Sequence, residues 1–225
     1  MQTKSKLTQQ RILTAARQLF FEYGISEITQ QQISDAAGIN RGLIFHYFKT
    51  KDSIAALIFE EYMLSFFSIM RDICGSLVLD PIVAALFTEH VLLSLPRRNA
   101  RLSAFFSEII RSGLADTFLQ QQTFAILSRE TSALTTPPEP KKLRIYAEML
   151  ASLTGYLLAT DFVAQHGISP DFAAQCVRDI HMNLLHVEPE RRAALFRAAE
   201  ALAERITVSH PNNLTLSREC FSIAP

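Results

Sequence analysis

Residues 33–52 read ISDAAGINRGLIFHYFKTKD, and their punctuation decides the fold. Thr29 is an N-cap for a short helix that runs to Ala37 and turns Ile33, Ala36 and Ala37 inward. Gly38 supplies the turn, because a left-handed backbone costs glycine little. Asn40 caps the next short helix, which ends near Phe48. Two short helices joined by a glycine turn follow the helix-turn-helix plan. The second helix of such a pair lies in the major groove and the first braces it across the DNA backbone.

Working outward, a helix over about Thr8 to Tyr23 precedes the pair. Its apolar stripe is Ile12, Ala15, Ala16, Leu19, Phe20 and Tyr23, and Gly24 stops it. Lys51 and Asp52 open a long fourth helix to about Cys74, with Ile54, Leu57, Ile58, Tyr62, Phe66 and Met70 at helical spacing. Prolines then punctuate helices over about 80–94, 99–112, 116–134, 140–166, 170–186 and 189–207. Strand-type alternation is not apparent, and the polar stretch 208–225 reads as an irregular tail. The expected fold is all-α. A three-helix DNA-binding domain (1–51) is joined by the long helix to a helical ligand-binding and dimerisation domain (52–207).

Charge is distributed to match. The chain of 225 residues has a formal net charge of zero, yet residues 1–51 hold seven Lys or Arg against three acids. A basic head suits phosphates and the acidic remainder does not. The three widely spaced cysteines form neither a disulfide framework nor a zinc motif. No unbroken run of 18 apolar residues and no apolar leader core occurs, so a cytoplasmic protein without a membrane partner is expected.

The front of the third helix offers Asn40, Arg41, Gly42, Leu43, His46 and Tyr47. Arg41 can reach phosphate or a guanine edge, Leu43 a thymine methyl, and Tyr47 a phosphate oxygen. Gly42 lets the backbone come close. Thr29, Gln30 and Lys51 sit at helix N-termini, which favour phosphate.

The combination of glycine turn, Asn40 cap, Gly42, aromatic cluster and Lys51 at fixed spacing resembles the signature of the tetracycline-repressor (TetR) family of bacterial regulators, over about residues 8–60. The resemblance implies DNA contact by Thr29, Gln30, Asn40, Arg41, Gly42, Leu43, Phe45, His46, Tyr47 and Lys51. Two positions depart from the family pattern. Phe45 stands where tyrosine is usual, and Ile28-Thr29-Gln30 replaces paired threonines.

The resemblance further implies a helical effector-binding and dimerising body. Ala147, Ala151, Gly155 and Ala159 form a four-residue repeat that lets two helices cross closely. With Phe162, Phe172, Cys176, Ile180 and Leu184 it reads as a homodimer interface, or else as an internal helix contact. Phe66, Met70, Phe87, His90, Phe105, Phe106, Ile109, Phe118, Phe124 and Tyr156 are the expected pocket residues, with Glu108 and Arg111 as further polar candidates. Phenylalanine at helical spacing also serves as plain core. The implied effector is a small apolar or aromatic molecule.

No nucleophile elbow, phosphate loop or zinc-helix motif occurs. His181 and His186 are five apart, which turns them to different helix faces. No catalytic residue, metal or cofactor is therefore expected. The reading is a homodimeric repressor on a pseudo-palindromic operator, released by its effector. The alternatives are an activator or a ligand-independent regulator. A helical small-molecule-binding or enzymatic protein whose N-terminal bundle only packs is the reading from a different class.

Overall fold

The computed structural model describes residues 2–132, 137–159, 165, 167–209 and 213–224. Among these, the head comprises α1 (Gln2–Tyr23), α2 (Gln30–Ala37) and α3 (Arg41–Tyr47). The body comprises α4 (Lys51–Ser76), α5 (Pro81–Arg97), α6 (Ala100–Arg111), α7 (Asp116–Thr131), α8 (Pro140–Leu158), α9 (Pro170–Leu184) and α10 (Pro189–Arg205). The all-α reading holds; α1 begins six residues before the expected Thr8, and α8 ends at Leu158 where a helix to about 166 is expected, 160–164 and 166 lying outside the described residues.

Local chemistry explains the head. Thr29 and Gln32 form a reciprocal capping box at the start of α2. The Asn40 side chain accepts from the Gly42 amide at 2.8 Å to open α3. Gly38 closes α2 at φ 61°, and a Cβ there would meet the Arg11 guanidinium at 2.9 Å. That guanidinium donates to the Ala37 and Gly38 carbonyls, at 2.6 and 3.1 Å, so this basic residue of the head pins the turn. Ile12, Ala16, Ile33, Ala37, Ile44 and Phe48 form the buried core beneath, while Leu19 and Ile39 pack partly buried at its edge.

α4 is long and apolar enough to cross a membrane, but ten of its residues, from Ile54 to Ile73, are buried in the protein. It belongs to the core. α7 lies along α8, α10 along α5, and α9 against α8. The tail differs from the irregular expectation. β1 (Ile206–Val208) pairs antiparallel with β2 (Phe221–Ile223), Val208 opposite Phe221. Ile206, Val208, Leu214 and Phe221 are buried, and the Phe221 ring lies 6.4 Å from that of Phe66. Three-residue strands are too short to announce themselves by alternation, and burial of these side chains is what fixes them.

Candidate DNA-binding surface and regulatory cavity

The outer face of the head gathers most of the expected DNA-facing residues. Thr29, Asn40, Arg41, Gly42, Leu43, Phe45 and His46 are exposed, and Gln30 and Tyr47 partly so. The Phe45 ring is 49% exposed and carries the Arg41 guanidinium 5.8 Å above its centroid. His46 and Tyr47 meet edge to face at 5.1 Å. An exposed phenylalanine supplies no phosphate donor, but its stacking orients an always-charged neighbour.

Gly42 is informative because nothing in the fold requires it. A Cβ would meet only the Asn40 Oδ1, at 3.4 Å, and the backbone there is ordinary helix. Glycine in a helix is unfavourable by about 0.5–1 kcal/mol relative to alanine. A bare spot on the solvent side of α3 therefore points to something that must approach from outside.

Lys51 does not present its charge outward. Its Nζ donates to the carbonyls of Ile25, Ser26 and Ile28, at 2.7, 3.1 and 2.8 Å. An ammonium has three protons, and all are used. Expected at a phosphate, Lys51 here clamps the α1–α2 loop. The same loop is held from the other side by Glu108 of α6. Its carboxylate accepts from the Ile25 and Ser26 amides at 3.2 and 2.7 Å. Arg17 of α1 pairs with Glu61 of α4, and the Arg101 guanidinium of α6 lies over Phe21 at 5.6 Å. The head is therefore tied to α4 and α6 by polar contacts at its base.

The cavity of the body, about 540 Å³, lies among α4, α5, α7, α8 and α9. Its apolar wall includes Phe67, Met70, Leu92, Ile126, Leu150 and Val177, and its polar wall includes Thr88, Glu89, Gln122, Glu130 and His181. Of the pocket residues expected from sequence, only Met70 lines it. Phe66, Phe87, Phe105, Phe106, Ile109 and Phe118 are buried core instead. Phe59 and Tyr62 meet the Phe106 ring edge to face at 5.4 and 5.6 Å, so the aromatic side chains fill space rather than enclose it. Phe124 is partly buried under Arg144, and Tyr156 is exposed. His90 lies beside Arg178 and Phe196, away from the cavity.

The polar wall is electrostatically tense. The Glu130 carboxylate bonds the His181 Nε2 at 2.8 Å, with side chains only 4% and 10% exposed. Among the described residues, the other Glu130 oxygen, Oε1, is buried without a partner, as is Oε1 of Glu89. Burial pushes the Glu89 carboxyl up; His181 and Arg178 oppose this and Glu130 reinforces it. Burial alone would lower His181, but the Glu130 hydrogen bond and the Glu130 and Glu89 charges outweigh it, leaving it above the ordinary 6.5. His90 is shifted down, by burial and then by Arg178.

A pH signature follows. A raised folded-state value means the native protein keeps a proton on His181 that the unfolded chain releases above about 6.5. Stability should therefore fall as pH rises from about 6.5 through the folded value. Glu89 acts with the same sign from lower pH. The depressed His90 acts oppositely, removing stability as pH falls below about 6.5. Melting temperatures across pH 6.5–8 should decline in the wild type and flatten in His181→Gln, which keeps a donor for Glu130. Equal slopes would show that the pair does not titrate there.

The stripe Ala147, Ala151, Gly155 and Ala159 is buried within the subunit. A Cβ on Gly155 would sit 3.6 Å from Ile110 and 3.8 Å from Leu119, so the close crossing is of α8 with α6 and α7. The opposite face of α8 exposes Ile145, Met149 and Tyr156. On the neighbouring α9, Phe172, Cys176 and Ile180 are exposed and Leu184 is partly buried. Phe162 lies outside the described residues.

Comparison with known proteins matches this geometry. Residues 12–58 match the model for "Bacterial regulatory proteins, tetR family". The HTH-type transcriptional repressor Rv1474c of Mycobacterium tuberculosis is 41% identical over 46 residues, 20% of this chain and 25% of that protein. The HTH-type transcriptional regulator UidR of Escherichia coli is 36% identical over 62 residues, 27% of this chain and 32% of that protein. The chain thus matches about a quarter to a third of the length of these relatives. The crystal structure of RolR in complex with resorcinol is similar in fold over 88% of this chain and 96% of its own, with TM-score 0.64 and 17% identity. The fatty acid degradation regulator FadR of Bacillus halodurans is similar over 80% of this chain and 99% of its own, with TM-score 0.53 and 16% identity. Over residues 12–58 the chain thus carries a helix-turn-helix similar to that of the tetR family of bacterial regulatory proteins.

Proposed function

We propose that this protein is a homodimeric transcriptional repressor. It grips a pseudo-palindromic operator with the front of α3 and lets go when a small molecule fills the cavity of its body. The observation that carries the reading is the exposed Arg41–Tyr47 surface, with a glycine at its centre that the fold itself does not need. The repressor name of its mycobacterial relative and the ligand in the RolR complex point the same way. The proposed units are residues 1–51 for DNA and 52–207 for effector and partner, followed by the tail. The proposed compartment is the cytoplasm.

The geometry supplies a route between the two sites. α4 begins at Lys51, which grips the head loop, and ends with Phe67, Met70, Arg71 and Cys74 on the cavity wall. α6 reaches the same loop through Glu108. A ligand that favours one setting of these helices shifts where α3 sits. It acts only by as much as its affinities for the DNA-binding and released forms differ.

The experiment is operator affinity by fluorescence anisotropy on a duplex selected from random sequence. Gly42→Leu should bind at least about tenfold more weakly, since even one lost bidentate base contact is worth about 1–3 kcal/mol. Its melting temperature should hold or rise. Arg41→Ala should weaken binding with unchanged folding. Native affinity in both variants would remove α3 from the interface.

A further inference from the structure

Resting on the effector-cavity reading above, we propose that the cavity selects ligands that donate hydrogen bonds: an apolar ring body with a phenolic hydroxyl or a protonated amine, seated against Glu130 and Glu89, with carboxylates rejected. Glu130 and Glu89 stand on α7 and α5 and line one wall together with His181 of α9. The Glu130 side chain is 4% exposed, and one of its oxygens is spent on His181 while Oε1 has no donor. Glu89 Oε1 is in the same condition. An ionised carboxylate only accepts, so each orphaned oxygen calls for an O–H or N–H. Buried acceptors in native proteins are nearly always met, and two unmet ones on the same cavity wall call for a donor from outside the chain.

Charge narrows the class further. A carboxylate ligand would set its own acceptor oxygens against those of Glu130 and Glu89, which already act on each other as like charges. Of the basic side chains, Arg71 and Arg129 of the lining are exposed, the charge on His181 is engaged by Glu130, and Arg178 stands beside His90 and Phe196, near enough to act on Glu89. Arg71 and Arg129 leave room for polar substituents at the rim but do not neutralise the wall. Opposite it, Met70, Leu92, Ile126 and Leu150 accept the ring body.

Four probes of one shape test the rule by isothermal titration calorimetry at pH 7.5: 4-phenylphenol, 4-phenylbenzylamine, biphenyl and biphenyl-4-carboxylate. The phenol or the amine should bind at least roughly tenfold more tightly than biphenyl and the acid, the ratio one charge-assisted hydrogen bond carries. The stronger of the two tells whether the donor is neutral or cationic. Glu130→Gln keeps an acceptor for His181 but turns the orphaned oxygen into an amide donor. In that variant, and in Glu89→Gln, the preference should shrink by about tenfold. Binding of the acid as tight as that of the donors, or donor affinities unmoved in both variants, overturns the proposal. If the acid binds and also releases operator DNA, the cavity stands as the effector site and only the donor rule falls. If no probe binds at millimolar concentration, both fall.

Discussion

Replacing Lys51 by methionine should lower both stability and operator affinity, and the two losses should travel together. Methionine keeps the aliphatic stem and removes the ammonium, so the carbonyls of Ile25, Ser26 and Ile28 lose their common donor. Hydrogen bonds to a charged group contribute about 1.5–3 kcal/mol each. Partial exposure lets water replace some of that, so we expect a loss of about 2–3 kcal/mol by urea unfolding. The loop sets the start of α2, which braces α3, so operator affinity should fall at least about tenfold at low salt. A phosphate ligand would behave otherwise. Its removal would leave stability unchanged and reduce the salt slope of binding by about one. A Lys51→Met protein with native stability and a smaller salt slope would restore the phosphate role and refute the clamp.

The head was legible because its chemistry is local. A capping box, a left-handed glycine and an Asn cap each operate within four residues, so reading along the chain finds them. The third helix shows its outer face for the same reason: with Ile44 inward, Arg41, Leu43 and Phe45 are left outside. The carbonyls that Lys51 meets lie 23 to 26 residues away, out of reach of a reading along the chain. A lysine at a helix start looks alike whether it serves phosphate or carbonyl.

The cavity was less legible, for a physical reason. Apolar periodicity marks what is buried, and close packing makes most buried phenylalanine core. The residues that give the cavity its character, Glu89, Glu130 and His181, stand on three helices and meet only in the folded chain. In sequence each is one polar residue among several on its helix. The signal that was available lies in α5, where Glu89 and His90 are the ionisable residues in an otherwise mostly apolar stretch from Pro81 to Pro96. One of the pair faces the cavity and the other does not.

Assembly gives the second large effect, and it turns on a stripe that could be read two ways. Small residues every fourth position let helices cross closely, but do not say which helices. Gly155 packs against Ile110 and Leu119 of its own subunit, so Gly155→Leu should cost about 1–3 kcal/mol of stability by overpacking and act on the subunit first. The apolar side chains left exposed are on the other side: Ile145 and Met149 on α8, with Phe172 and Ile180 on α9. Phe172, 63% exposed, is the largest of these side chains. Scattered exposed apolar residues are ordinary, but these lie on two helices that pack against each other. A two-fold axis beside them would pack α8 and α9 against their copies and present two α3 helices to one side. Met149→Glu with Phe172→Asp places four charges at the centre of that contact in the dimer, where unpaired charge is most costly. Light scattering should show a monomer. Operator affinity should fall at least about a hundredfold, as two-headed binding becomes one-headed. The melting curve of the variant subunit should stay cooperative, since both side chains face solvent in it. A double variant that remains dimeric with native affinity would place the subunit contact elsewhere.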